Sequence, residues 1–290
     1  MAIIPGHPGP LVRRRQLGAA LRQHRIGAGL SIADVAKELL LSPSKISRLE
    51  TAQRNISARD VRDLLDLYRV ADPEVRDELM RLVEESREFA WWAHYNIDSS
   101  YKRLIGLEGA ATTICDYQMG AVPGLLQTPE YGTALAGAWN DDPENLKEIV
   151  EVRVARQRLL NSNTNLNFVV DESVLRRSIG STEIMQAQIR RLIDLSAGSR
   201  IVFQVLPFSV GAHRGLVSGF IVLQFSNPIS TGSAASMSDI VYREGVVGAG
   251  WYIEQPEEVA GYLDAFRDLQ RRALTQPETT SFLEELLRDN

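Results

Sequence analysis

The stretch Leu30–Glu50, LSIADVAKELLLSPSKISRLE, decides how this chain begins to fold. Ser31 stands before an apolar-periodic run and Asp34 follows three places on, so the spacing predicts a capped helix over IADVAKEL. Ser42 and Pro43 repeat the signal, a serine N-cap with proline at the first helical position. Only the short turn around Leu40 separates the two helices. In the second, Ile46 and Leu49 point one way, while Ser44, Ser47 and Arg48 face another, with Lys45 beside them.

Working outward, Leu17, Leu21, His24, Arg25 and Ala28 repeat at steps of three and four, predicting a helix from Gln16 that Gly27 and Gly29 end. Ser57 caps a fourth helix with Val61, Leu64, Leu65 and Tyr68 on one face. Asp72-Pro73-Glu74 opens a fifth, whose helical spacing runs on to Trp91 and Trp92. Before all of these, a start rich in proline and glycine leads into Arg13, Arg14 and Arg15. The expected organisation is a flexible basic arm over 1–15, a helical domain over 16–71, a connecting helix over 72–96 and a second domain over 97–290.

At 290 residues, with 44% hydrophobic and 24% charged side chains, the chain has the composition of a folded protein with room for two cores. It has no apolar run of membrane-span length and no signal core, and its single cysteine, Cys115, has no partner thiol; a cytoplasmic protein without membrane contact is expected. The net charge of −5 divides unevenly, +6 over residues 1–71 and −11 over the rest. A basic head on an acidic body suits a polyanion-binding module carried by another domain.

Three helices with so tight a turn between the second and third have the order of a helix-turn-helix. Residues 17–70 resemble the Xre-type, phage-repressor-like family of that motif. Ala36 matches the small residue where the two helices cross, Val35 and Ile46 match core positions, and S-x-x-x-I-S-R-L-E runs through the third helix. In that family an arginine late in the first helix pairs with the glutamate closing the recognition helix, and the resemblance places Arg25 and Glu50 there. Leu40 and Ala52 depart from it, standing where the family often has glycine.

The resemblance implies binding to double-stranded DNA through Ser42, Pro43, Ser44, Lys45, Ser47, Arg48, Gln53, Arg54 and Asn55. Arg48 is the best reader of base edges, because a guanidinium can bind guanine O6 and N7 together. Lys45, Gln53, Arg54 and Asn55 suit phosphate, which fixes register without reading sequence. So few readers call for a homodimer on two half-sites. The bland alternative is that Lys45 and Arg48 are ordinary solvated charges.

Beyond Asn96, helical patterns at 103–117, 128–139, 143–161, 181–197, 256–274 and 278–288 are interleaved with LNFVV, RIVFQVL, GFIVLQF, SDIVYRE and GWYIE. The expected fold class is an N-terminal all-α helix-turn-helix of five helices, lambda-repressor-like, followed by an α+β domain with a mainly antiparallel sheet. VPGLLQTPEY at 122–131, RVARQRLL at 153–160, VVDESVLRR at 169–177 and VLPFSVGAH at 205–213 resemble the C-terminal domain of actinobacterial WhiJ-like regulators of Xre type. That resemblance implies a transcriptional regulator, by default a repressor, controlled through a small partner protein or a ligand.

Arg153, Arg156 and Gln157 share a helix face and, with Glu172 and Arg176, offer a cluster for an anion; an internal salt-bridge network is the alternative. His213, in a glycine-rich loop, is a further candidate contact. No nucleophile elbow, phosphate loop or metal-spaced acidic set is visible, so neither an enzyme nor a cofactor is expected. A rival reading is an antitoxin-like protein that neutralises a small partner and autoregulates its operon.

Overall fold

The computed structural model describes residues 9–198, 200–225, 237–245 and 250–289, which divide into two compact units with a boundary between Ala93 and His94. The loop NPISTGSAAS and the first eight residues lie outside the described residues.

The first unit holds α1 (Pro10–Gly27), α2 (Ile32–Glu38), α3 (Pro43–Glu50), α4 (Ala58–Leu67) and α5 (Pro73–Glu85). The caps are those the sequence predicts. Ser31 and Asp34 form a reciprocal capping box on α2, and the side chains of Ser42, Ser57 and Asp72 accept backbone N–H bonds at the starts of α3, α4 and α5. One apolar cluster, with Leu17, Leu21, Val35, Ile46, Leu49, Val61 and Leu65 at its centre, holds the helices together.

Two boundaries differ from the sequence expectation. Pro10 is the first residue of α1, a place where a missing N–H costs nothing, so Arg13, Arg14 and Arg15 are helical and not part of a loose arm. The fifth helix stops at Glu85, well short of the tryptophans, and sinks Leu79, Leu82 and Val83 into the first core. It completes the first unit and does not act as a connector, because its apolar face is used up on α1 and α4.

Helices α1 to α4 end in the same way. After each, a residue at positive φ lets the next amide reach back to a carbonyl five residues earlier: Leu30 to Arg25, Leu41 to Ala36, Gln53 to Arg48 and Val70 to Leu65, all at 2.9–3.1 Å. Gly29 turns the first of these, but Leu40, Ala52 and Arg69 turn the others at φ 54°, 59° and 56°. The two departures from the family's glycines therefore sit in the left-handed region, where a side chain costs about 1 kcal/mol or more.

The second unit contains α6 (Ser99–Glu108), β1 (Thr113–Gln118), α7 (Pro129–Ala136), α8 (Pro143–Arg156), β2 (Asn165–Asp171), α9 (Glu172–Arg176) and α10 (Thr182–Ser196). It continues with β3 (Ile201–Leu206), β4 (Phe220–Gln224), β5 (Ile240–Arg243), β6 (Trp251–Ile253), α11 (Pro256–Arg272) and α12 (Gln276–Asp289). The strands form one sheet in the order β3-β2-β1-β4-β5-β6.

The sheet is mixed, with antiparallel pairings outnumbering parallel ones. β1, β2 and β3 run parallel, joined by helical crossovers, while β4, β5 and β6 are antiparallel to their neighbours. The parallel half differs from the sequence expectation because β1 lies at the end of the helical pattern over 103–117. Its central residues, Ile114 to Tyr117, are buried on both faces, and such a strand lacks the alternation that separates strand from helix.

The odd face of β1, Cys115 and Tyr117, packs with Val222 and Val241 against Val259, Phe266 and Leu269 of α11. The other face carries a row of paired residues across all the strands: Phe203, Phe168, Asp116, Ile221, Tyr242 and Tyr252. Asp116 is the one charge in that row.

Candidate nucleic-acid interface and C-terminal cavity

The placement of α3 rests on three anchors. The Ser42 hydroxyl accepts from the Lys45 amide at 3.2 Å, Ile46 and Leu49 are buried, and Glu50 is gripped from α1 by Arg25. Arg25 donates through Nε and Nη2 to the two carboxylate oxygens at 2.6 and 3.0 Å, and through Nη1 to the Leu30 carbonyl at 2.7 Å. The bond to Glu50 raises the arginine pKa against the opposing effect of burial. Gly18 lets α1 approach this helix end closely, since a Cβ there would lie 2.6 Å from the Glu50 carbonyl oxygen.

With those anchors set, α3 exposes Pro43, Ser44 and Arg48 and leaves Ser47 half-buried. Arg48 Nη2 lies 3.5 Å from Ser44 Oγ, which in turn is 3.2 Å from Ser42 Oγ. Gln53, Arg54 and Asn55 are exposed just beyond the helix, and Asn55 accepts a bond from Arg14 of α1 at 2.9 Å. Lys45, expected from the sequence at phosphate, is half-buried. Its ammonium is 3.0 Å from Asp60 Oδ1 on α4, where this bond and one from Ser57 lower the Asp60 pKa despite burial.

In the second unit the structure splits the six candidate residues into two groups. Glu172 accepts from Arg176 on its own helix and, at 2.8 Å, from the Phe208 amide, so it ties α9 to the segment after β3. His213 lies 3.7 Å from Asp171 and edge-on to Tyr117; its Nδ1 and the Tyr117 hydroxyl are buried without a hydrogen-bond partner among the described residues. Burial lowers the His213 pKa, outweighing the nearby Asp171.

Arg153 and Gln157 come together at Gln127, and Arg156 lines the same cavity as Arg153. Arg153 donates to Gln127 Oε1 at 2.8 Å, and Gln157 donates to the Gln127 carbonyl. Arg156 is buried and doubly bonded to Glu108 at 2.6 and 2.9 Å, with its third nitrogen donating to the Tyr101 hydroxyl. Burial works against that charge, but Glu108 and Tyr101 outweigh it and hold the guanidinium pKa above its usual value.

Arg153 and Arg156 form one wall of a cavity of about 580 Å³. The sheet row described above supplies its floor, with Asp116, Ile221 and Tyr242; Leu104, Leu135 and Phe220 supply apolar surface. Gln118 Nε2 donates to Asp116 Oδ1 at 2.7 Å. Burial pushes the Asp116 carboxyl up to about 7, opposed by that bond and reinforced by Glu108. A cavity of this size, largely apolar with a few convergent polar groups, has the form of a small-molecule site.

A family model described as a domain of unknown function, DUF5753, matches residues 101–285, most of the chain. The chain belongs to the DUF5753 family. A helix-turn-helix domain model matches residues 16–79, so this DUF5753 protein carries at its N-terminus the architecture of DNA-binding regulators, and the match takes in most of α5. No curated protein matches the chain. Among the described residues no helix is long and apolar enough to cross a membrane, and no group of three or more His, Cys, Asp or Glu is gathered to hold a metal ion.

Within the DUF5753 region, the cavity residues Tyr101, Asp116, Gln118 and Tyr242 are not among those the sequence singles out. One signal was present. Asp116 and Gln118 stand two apart in the run TICDYQ, which places both polar side chains on one face of an otherwise apolar strand.

Proposed function

We propose that this DUF5753 protein is a sequence-specific transcriptional regulator of Xre type, belonging to the actinobacterial WhiJ-like group. In this reading it acts in the cytoplasm as a homodimer, represses by occupying a promoter, and carries no catalysis of its own. Its occupancy of double-stranded DNA is controlled at the C-terminal domain by a ligand or a small partner protein.

The observation that carries the reading is the exposed face of α3. Ser44 and Arg48 are exposed on a helix whose other side is fixed by Ile46, Leu49 and the Arg25–Glu50 pair. A rigid helix with an exposed guanidinium suits entry into the major groove, and each good bidentate contact to guanine is worth about 1–3 kcal/mol of discrimination. Two serines and one arginine read little DNA, which favours a dimer on paired half-sites.

The test is binding of the full chain to a site selected from random duplexes, against a scrambled duplex at fixed salt. Arg48→Ala should lose about ten-fold or more of the preference for the selected site while the thermal midpoint stays unchanged. An unchanged preference would remove α3 as the reader.

A further inference from the structure

We infer that the cavity of the second unit takes a small organic acid, its carboxylate on Arg153 and its apolar body against Leu104, Leu135, Phe220 and Ile221. This deepens the reading above, in which the C-terminal domain controls DNA binding.

The argument rests on how the charges around the cavity are used. Four charged residues line the cavity: Glu244 is exposed to solvent, Asp116 is buried, and Arg156 is spent on Glu108 and Tyr101. Arg153 is not spent in this way. Its hydrogen bonds go from Nη1 to two neutral acceptors, Gln127 Oε1 at 2.8 Å and the Gly132 carbonyl at 3.4 Å, and no carboxylate among the described residues pairs with it. Gln127 cannot swing away to serve another group, because its Nε2 donates to the Val122 carbonyl at 2.6 Å. Arg153 is thus a guanidinium oriented by neutral groups, half-buried at the edge of about 580 Å³ of space, with Nε and Nη2 left to grip an incoming anion.

Asp116 points to an acid over an amine. Its carboxyl is pushed up to about 7 by burial, so it is half protonated near pH 7 and mostly uncharged by pH 6, where it does not call for a cation. It offers a hydrogen bond to the far end of the ligand. The cavity volume falls within the range of small-molecule sites, and its lining is more apolar than polar, which suits a body of aromatic or branched aliphatic carbon.

The experiment is thermal denaturation of the full chain at about pH 6, where Asp116 is mostly protonated and the acids are ionised, titrated with phenylacetate and hexanoate, with their neutral amides, and with phenethylamine. The acids should raise the midpoint in a dose-dependent way, at concentrations at least about ten-fold lower than the amides need. Arg153→Gln should abolish the acid's advantage, and Arg158→Gln, an exposed arginine on the next turn, should keep it. Should Arg153→Gln fail to fold, the acid-against-amide comparison on the unaltered chain decides. No response to the acids, equal response to acid and amide, a preference for the amine, or an unchanged response in a folded Arg153→Gln would each overturn the inference. Because the readout contains no DNA, its failure is separable from failure of the regulator reading, which the Arg48 test addresses.

Discussion

Each unit of the molecule contains a buried arginine gripping a glutamate with two hydrogen bonds, and the two pairs are put to different uses. Arg25–Glu50 is closed off: the remaining nitrogen of Arg25 is taken by the Leu30 carbonyl, and the pair locks the end of α3. Arg156–Glu108 has a Tyr101 hydroxyl as its third partner and stands at the wall of a cavity that also contains Asp116 and Arg153. Strain is divided in a matching way. Among the described residues every non-glycine at positive φ lies in the first unit, whereas glycine takes such positions in the second, at Gly180 and Gly211. The first unit tolerates cost in its backbone to hold a surface rigid; the second tolerates it in buried charge beside open space.

The largest effects should come from breaking the pairs. Removing one partner leaves a buried charge uncompensated, at about 3–5 kcal/mol. Glu50→Ala should therefore destabilise the chain by that amount in denaturant unfolding and abolish DNA binding with it. Glu108→Ala should cost a similar amount if the two pairs are equivalent struts. A clearly smaller loss for Glu108→Ala would mean that water entering the cavity solvates Arg156, and would sharpen the contrast between a sealed pair and an open one.

Next in size is Asp116, whose pH dependence has a definite sign. Its folded pKa of about 7 lies above the ordinary carboxylate value, so between about pH 4 and 7 the folded state holds a proton that the unfolded state has lost. Stability from this group is therefore greatest near pH 4, declines as pH rises to about 7, and is flat beyond. Asp116→Asn removes the charge and keeps an acceptor for Gln118. It should match the parent near pH 4 and exceed its stability at pH 8 by up to roughly 4 kcal/mol. The same difference at both pH values would show that burial, not ionisation, sets the cost.

The two units also differed in how far they could be read from sequence. In the first, local signals carry the structure: Ser31 with Asp34, Ser42 with Pro43, and Ser57 each start a helix where the spacing says, and the family pattern brings Arg25 to Glu50. What misled there was helical periodicity running past Glu85, since spacing alone does not mark where a helix ends. In the second, β2 to β6 were legible as β-branched runs, but β1 was hidden because a strand covered on both faces loses its alternation. With β1 went Asp116 and Gln118, and so the floor of the cavity. Partners distant in sequence, such as Glu108 for Arg156 or Asp60 for Lys45, carried no local signal at all.

The smallest predicted effect tests the backbone side of the comparison. Leu40 holds φ at 54° in the turn between α2 and α3 while its side chain is 92% exposed, so it has strain and almost no burial to set against it. Leu40→Gly should relieve the left-handed conformation and lose little packing, raising stability by about 1 kcal/mol. Ala52 has the same φ sign but is only 6% exposed, so Ala52→Gly gives up a buried methyl and should gain less, or nothing. Denaturation midpoints of the two variants check this ordering. If Leu40→Gly gave no gain, the turn would not be strained, and the first unit's rigidity would have to be credited to its caps and its ion pair alone. If it stabilised the fold yet weakened DNA binding, the exposed leucine would itself belong to the interface, beside Ser42 and Ser44.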